Sequence, residues 1–77
     1  METYKITKSY KNPNYYQSKK KVEGKNLTFE QASKELDIIE MLWRKHGGYV
    51  LDRNEFNLVC EEPDGSEVIS WLIDYEY

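Results

Sequence analysis

The chain has 77 residues, of which 32% are charged and 39% apolar, and its formal net charge is -3. A chain of this length forms a single domain, here residues 1–77, and buries only about 60% of its unfolded surface. Cys60 is the only cysteine and His46 the only histidine. A single cysteine excludes an intrachain disulfide. One cysteine and one histidine cannot supply the ligands of an ordinary four-ligand zinc site. We therefore expect no metal and no cofactor.

The chain carries no sign of a membrane or secretory segment. No apolar run approaches the roughly 20 residues that span a bilayer. The N-terminal stretch METYKITKSYK has no apolar segment of secretory type. We expect a cytoplasmic protein that does not contact a membrane.

The modest net charge conceals a strong asymmetry along the chain. Residues 1–25 contain seven lysines and two glutamates, whereas residues 47–77 contain eight acidic residues and Arg53 as their one cation. Charge separation of this kind favours electrostatic steering toward a binding partner.

The N-terminal stretch ETYKITKSY predicts a strand, because Tyr4 and Ile6 alternate with lysine and threonine. Asn-Pro-Asn then interrupts the pattern, and three consecutive lysines follow. We expect residues 10–21 to form a flexible basic loop. The alternative is a second strand over residues 15–23, ended by Gly24 and paired back on the first strand.

The clearest prediction is a helix over about residues 28–46. Thr28 and Gln31 match the capping-box pattern at its start, and Gly47 and Gly48 are typical of a helix end. Five apolar residues recur at helical spacing and form one core-facing stripe: Phe29, Ala32, Leu36, Ile39 and Trp43.

The C-terminal third predicts a β-hairpin. The sequence PDGS, residues 63–66, is typical of a turn between a strand near 55–62 and a strand over 67–77. A four-residue loop brings the apolar residues of both strands onto one face, with Cys60 opposite Ile69 and Leu58 opposite Trp71. The same register places Phe56 opposite Ile73.

These elements predict an α+β fold. One helix packs on one face of a small antiparallel sheet, in the order β(β)αββ, and a further short strand is possible at residues 49–52. The chain ends in the C-terminal hairpin.

The second face of that hairpin is rich in carboxylates. The register places Glu55 opposite Asp74 and leaves Val59, Val68 and Leu72 between the acidic side chains. We interpret this face as a binding surface for a protein with basic residues; the alternative is a solvated polar face. The candidate residues are Glu55, Glu61, Glu62, Asp64, Asp74 and Glu76.

A second candidate surface is the basic stretch between the first strand and the helix. Its lysines can neutralise phosphates and its tyrosines can stack on bases. The acidic isoelectric point, about 5.1, counts against a dedicated nucleic-acid-binding protein. The candidate contacts are Lys11, Tyr15, Tyr16, Lys19, Lys20 and Lys21.

Three aliphatic residues lie off the core-facing stripe of the helix. Ile38 and Met41 can form a partner-binding or homodimer interface, and the alternative is that they are scattered surface residues. Leu42 either belongs to the same surface or wraps into the edge of the core. An edge strand is the other candidate homodimer interface.

No residues form a catalytic pattern. His46 falls in the last helical turn, where histidine commonly interacts with the helix dipole, and Cys60 falls on the predicted core face. No phosphate-binding glycine loop is present, because Gly47 and Gly48 lack the required lysine and spacing. We expect that the protein is not an enzyme.

In its size, its acidity, its richness in Lys, Glu, Asn and Tyr, and its single alanine, Ala32, the chain resembles small accessory proteins of phages and mobile elements. These include anti-CRISPR and related anti-defence inhibitors. The resemblance covers the whole chain but involves no diagnostic motif. It implies an inhibitor or adaptor that binds one host protein, and one form that such an inhibitor takes is a nucleic-acid mimic.

Overall fold

The computed structural model describes residues 2–11 and 19–76. One helix and five strands follow each other along the chain: β1 (Thr3–Lys11), β2 (Lys19–Leu27), α1 (Phe29–His46), β3 (Tyr49–Arg53), β4 (Asn57–Glu61) and β5 (Val68–Glu76). The five strands form one antiparallel sheet in the order β2-β1-β5-β4-β3, and α1 packs against it. The predicted α+β fold with its C-terminal hairpin is confirmed.

The ends of α1 follow the predicted caps. Thr28 Oγ1 accepts a hydrogen bond from Gln31 N at 3.1 Å, and Gln31 Oε1 accepts one from Thr28 N at 2.9 Å. This reciprocal pair satisfies two backbone donors that the first helical turn leaves free. Gly47 ends the helix in the left-handed conformation, with φ of 94°, which glycine adopts without strain.

Gly48 is needed for a different reason. A β-carbon at this position would lie well inside van der Waals distance of the Trp43 indole. The indole occupies this space while its Nε1 donates a hydrogen bond to Glu61 O at 3.1 Å. The absent side chain of Gly48 therefore allows the last turn of α1 to contact the end of β4.

The core lies between α1 and the inner face of the sheet. Trp71 is 4% exposed and packs edge-on against Trp43, with ring centroids 5.7 Å apart. Phe29, Ile39 and Trp43 of the predicted stripe pack against this core. The buried residues are Ile6, Ala32, Leu36, Leu58, Cys60, Ile69, Trp71 and Ile73.

The predicted register of the C-terminal hairpin is confirmed. Cys60 pairs with Ile69 and Leu58 pairs with Trp71. Ile73 N donates to Phe56 O at 2.7 Å, so the predicted alignment extends one pair beyond β4.

Two details at the start of β4 differ from the prediction. The strand begins at Asn57, so Glu55 lies in a bend and does not pair with Asp74. Phe56 is 50% exposed, because it precedes the first residue of β4. Its ring contacts that of Phe29 edge-on, at a centroid distance of 5.3 Å.

The basic loop predicted for residues 10–21 differs at both ends. Residues 10–11 belong to β1, and residues 19–21 belong to β2. The alternative of a second strand paired back on the first is therefore confirmed for residues 19–23, and β2 runs on through Gly24 to Leu27. Backbone pairing explains the difference: β1 pairs with β5 as far as Lys11, and Tyr10 pairs with Lys19 of β2. These ladders offset the low strand propensity of lysine. The remaining residues of the predicted loop, 12–18, lie outside the described residues.

We expect Gly48→Ala to destabilise the fold by about 1–3 kcal/mol, because the added methyl group displaces the Trp43 indole from a packed site. Urea unfolding followed by circular dichroism measures the loss. Gly47→Ala is the matched control: it introduces left-handed strain of about 1–2 kcal/mol without touching the indole.

Tryptophan fluorescence of the native state separates the two substitutions. Gly48→Ala shifts the native emission, whereas Gly47→Ala leaves it as in the wild type. A Gly48→Ala protein with wild-type stability and emission would contradict the packing argument.

Candidate functional site

The face of the sheet turned away from α1 is the candidate binding surface, and we call it the outer face. Side chains alternate along each strand, so the residues between the buried ones form this face. No described element packs across it. On the three inner strands, the outer-face residues whose side chains the structure describes are Thr3, Lys5, Thr7, Ser9, Asn57, Val59, Glu61, Val68, Ser70, Leu72, Asp74 and Glu76.

The middle of the outer face contains three aliphatic side chains. Val59 and Val68 are half-buried, whereas Leu72 is 44% exposed. Val59 pairs with Ser70, and Asn57 pairs with Leu72, so small or short side chains surround the three aliphatic ones. A surface of this kind offers apolar contact area to a partner without an enclosed pocket.

Carboxylates lie at the two ends of this apolar strip. Glu61 pairs with Val68 at one end, and Asp74 lies six residues further along β5. At about 3.4 Å per residue, the two carboxylates are separated by about 20 Å along the strand. Asp74 pairs with Lys5 of β1, so one charge of the strip has a basic neighbour.

Glu76 is on the outer face but has a structural role. Its carboxylate accepts hydrogen bonds from Thr3 Oγ1 at 3.2 Å and from Asn26 N at 3.3 Å. Asn26 has a left-handed backbone, with φ of 56°. Glu76 thus ties the end of β5 to β1 and to the irregular end of β2.

The other three predicted acidic residues lie outside the outer face. Glu55 is exposed in the bend before β4. The carboxylate of Glu62 lies 3.9 Å from His46 Nε2, at the end of α1. Asp64 accepts a hydrogen bond from Ser66 N at 2.9 Å in the turn, and bonds from Ser66 lower the pKa of Asp64.

The single cation of the C-terminal third is not available to neutralise this surface. Arg53 Nη2 lies 2.7 Å from Asp37 Oδ1, and Arg53 Nε lies 3.3 Å from Glu40 Oε1, without hydrogen-bond geometry in the second case. The Arg53 side chain is 19% exposed. It joins β3 to α1 on the inner side of the sheet.

Three of the four lysines of the predicted basic stretch lie on the edge strand β2, and Lys11 lies on the inner strand β1. Lys19, Lys20 and Lys21 of β2 pair with Tyr10, Ser9 and Lys8 of β1. Lys11 pairs with Val68 of β5. Tyr15 and Tyr16 lie outside the described residues.

The strand order places the lysine-rich strand and the acidic hairpin in different parts of the sheet. The lysine-rich strand β2 is one edge of the sheet, and β3, next to the acidic β4–β5 hairpin, is the other. Four strand spacings of about 4.8 Å separate the edges by about 19 Å. This exceeds the screening length of about 8 Å at physiological salt, so the two edges do not neutralise each other.

A groove between α1 and β2 was not predicted from the sequence. It encloses about 530 Å³ and has Ile6, Leu27, Ile39 and Trp71 as its main apolar lining. Lys8 lies within it, with Nζ 3.7 Å from Glu23 Oε1 and 5.5 Å from the Trp71 ring centroid. The sequence feature that could have indicated this groove is Lys8, which interrupts the apolar alternation of β1.

The aliphatic residues on the outside of α1 are exposed. Ile38 is 43% exposed, Met41 61% and Leu42 56%. The alternative in which Leu42 wraps into the core edge is therefore wrong, because its position on the helix points it past the sheet. The predicted partner or dimer interface at Ile38 and Met41 stays a prediction.

The two candidate reactive side chains are held apart. Cys60 is fully buried in the core, and burial together with nearby Glu40 raises the pKa of its thiol to about 11. His46 packs beside Trp43, with ring centroids 6.2 Å apart, on the surface of the last helical turn. Among the described residues, no three His, Cys, Asp or Glu side chains are grouped to hold a metal ion.

Comparisons of the chain with protein-family models, curated proteins and solved structures find no match in any of the three. None of the helices within residues 2–11 and 19–76 is long and apolar enough to cross a membrane.

We expect the Cys60 thiol to resist labelling at neutral pH until the protein unfolds, because the reactive thiolate is disfavoured. The neutral thiol stabilises the fold fully below its ordinary pKa of 9.0, and this stabilisation is lost as the pH rises through about 11. The free energy of unfolding should therefore fall more steeply over this range in the wild type than in Cys60→Ala. Rapid labelling of the native protein would contradict the burial argument.

Proposed function

We propose that this protein is a non-enzymatic binding module whose outer face docks on a partner protein with basic residues. The observation that carries the proposal is an uncovered apolar strip, formed by Val59, Val68 and Leu72, with Glu61 and Asp74 at its ends. Apolar contact supplies binding free energy, and the two carboxylates fix orientation and select basic partners.

The resemblance to phage and mobile-element accessory proteins supports a narrower proposal about the partner. On this proposal the partner is a host protein, and the module acts as an inhibitor or adaptor in the cytoplasm. Binding without turnover is consistent with the separation of Cys60 in the core from His46 on the surface.

The spacing of the carboxylates favours recognition of separate basic residues over mimicry of a nucleic-acid backbone. A DNA duplex presents one negative charge per about 1.7 Å of its axis. Glu61 and Asp74 are about 20 Å apart along the strand direction, and Lys5 pairs with Asp74. We therefore propose discrete ion pairs at the two ends of an apolar contact.

Charge reversal at both ends, Glu61→Lys with Asp74→Lys, should abolish partner binding and leave the fold intact. Both side chains are on the surface, and Trp43 bonds only to the backbone oxygen of Glu61. Glu76 is left unchanged because it anchors β1 and β2. The measurement is affinity capture from a bacterial lysate, with nuclease added and bound proteins quantified by mass spectrometry.

The matched control is Glu30→Lys with Glu35→Lys, which makes the same change in net charge on α1. A protein captured by the wild type and by this control, but not by the outer-face variant, would support the proposal. Equal capture by all three would exclude the outer face as the binding surface.

The gathering of lysines at the β2 edge favours a second candidate, binding of single-stranded nucleic acid. Lys19, Lys20 and Lys21 then neutralise phosphates, so affinity should fall steeply with salt and be lost on their replacement by alanine. Fluorescence anisotropy with labelled DNA and RNA oligonucleotides tests this. Absent binding at about 50 mM salt, or binding that does not respond to salt, would remove this candidate.

A further inference from the structure

The two edges of the sheet are open and differ in charge. β2 has β1 as its one hydrogen-bonded neighbour among the described strands, and β3 has only β4. An open edge presents unpaired backbone N–H and C=O groups that can pair with another strand. The charges along each edge determine which kind of strand can pair with it.

The edge formed by β2, which we call the basic edge, contains Lys19, Lys20, Lys21 and Lys25. Its one acidic residue, Glu23, has its carboxylate 3.7 Å from the ammonium group of Lys8. Two basic edges cannot pair with each other without bringing these lysines together. Lysine on an edge strand is a common protection against pairing of like edges.

The edge formed by β3, which we call the acidic edge, lacks that protection. Tyr49 is 56% exposed and Leu51 54% exposed, so large apolar side chains lie along it. Its nearby charges are Asp52 within the strand and Glu55 in the following bend, while Arg53 is held by Asp37 and Glu40 beneath α1. Two acidic edges would bring like charges together, so this edge favours a strand rich in lysine.

We propose that the acidic edge of one molecule pairs with the basic edge of a second copy, which extends the sheet from molecule to molecule. Each copy carries both edges about 19 Å apart, so the contact is head-to-tail and repeats instead of closing in a symmetric dimer. β3 offers only five residues, Tyr49–Arg53, and its register is interrupted between Val50 and Asp52. The association is therefore weak and depends on the charge attraction.

This proposal goes beyond the binding of a partner protein, because it uses the edges of the sheet and leaves the outer face free. Leu72→Ser, which alters the apolar strip of the outer face without changing any charge, should self-associate as the wild type does. Conversely, substitutions at either edge should leave capture of a partner by the outer face unchanged. The two proposals can therefore fail separately.

The test compares two edge variants by sedimentation velocity over a range of protein concentrations. Lys20→Glu with Lys25→Glu makes both edges acidic, and Asp52→Lys with Glu55→Lys makes both edges basic. The wild type should show an average mass above 9.2 kDa that rises with concentration at about 0.1 M salt. The mass should return to that of the monomer at about 1 M, where the screening length falls to about 3 Å.

Each edge variant alone should be monomeric, and an equimolar mixture of the two should associate again, because each supplies the charge that the other lacks. The matched control, Lys34→Glu with Lys45→Glu, makes the same change in net charge as the first variant but lies on α1, and it should associate as the wild type does. Circular dichroism confirms that each variant is folded.

Three outcomes would overturn the proposal. The first is a wild type that stays monomeric at high concentration and about 0.1 M salt. The second is an edge variant that associates by itself as the wild type does. The third is a mixture of folded edge variants that stays monomeric.

Discussion

The fold depends on the pairing of β1 with β5 in the middle of the sheet. This ladder runs over nine residue pairs, from Thr3 with Glu76 to Lys11 with Val68. It joins the β1–β2 hairpin to the β3–β4–β5 meander, and a two-stranded hairpin alone is at best marginally stable in water. Ile6 and Ile73, which face each other across the ladder, are both buried in the core. Without this ladder, α1 would have no continuous surface to cover.

Local signals in the sequence predict the elements that local chemistry determines. Thr28, Gln31 and Gly47 define the ends of α1 through caps, which depend on neighbouring residues alone. The register of the β4–β5 hairpin follows from the turn and from the matching of apolar residues, since a shift of one residue would expose the whole set. The helix α1 and the core-facing residues of β4 and β5 were therefore predictable.

Features that depend on distant parts of the chain were not predictable. The second strand was predicted only as the alternative to a basic loop, because β2 is held by the ladder to β1 and has few apolar residues of its own. The strand order decides that Lys5 lies beside Asp74 and that Glu76 bonds to Asn26, which makes one predicted binding residue a structural one. The position of Glu55 outside β4 also was not predictable, because β4 begins only at Asn57.

The contact between the two tryptophans provides a spectroscopic signal for the packing of the helix on the sheet. Trp43 is on α1 and Trp71 on β5, they are the only two in the chain, and their rings meet at an interplanar angle of 73°. Two indoles held in a fixed asymmetric contact absorb circularly polarised light differently from two that move freely. A state that keeps its helix but loses this contact would retain far-ultraviolet dichroism and lose the near-ultraviolet signal. The chain thus carries its own optical reporter of tertiary packing, separate from that of secondary structure.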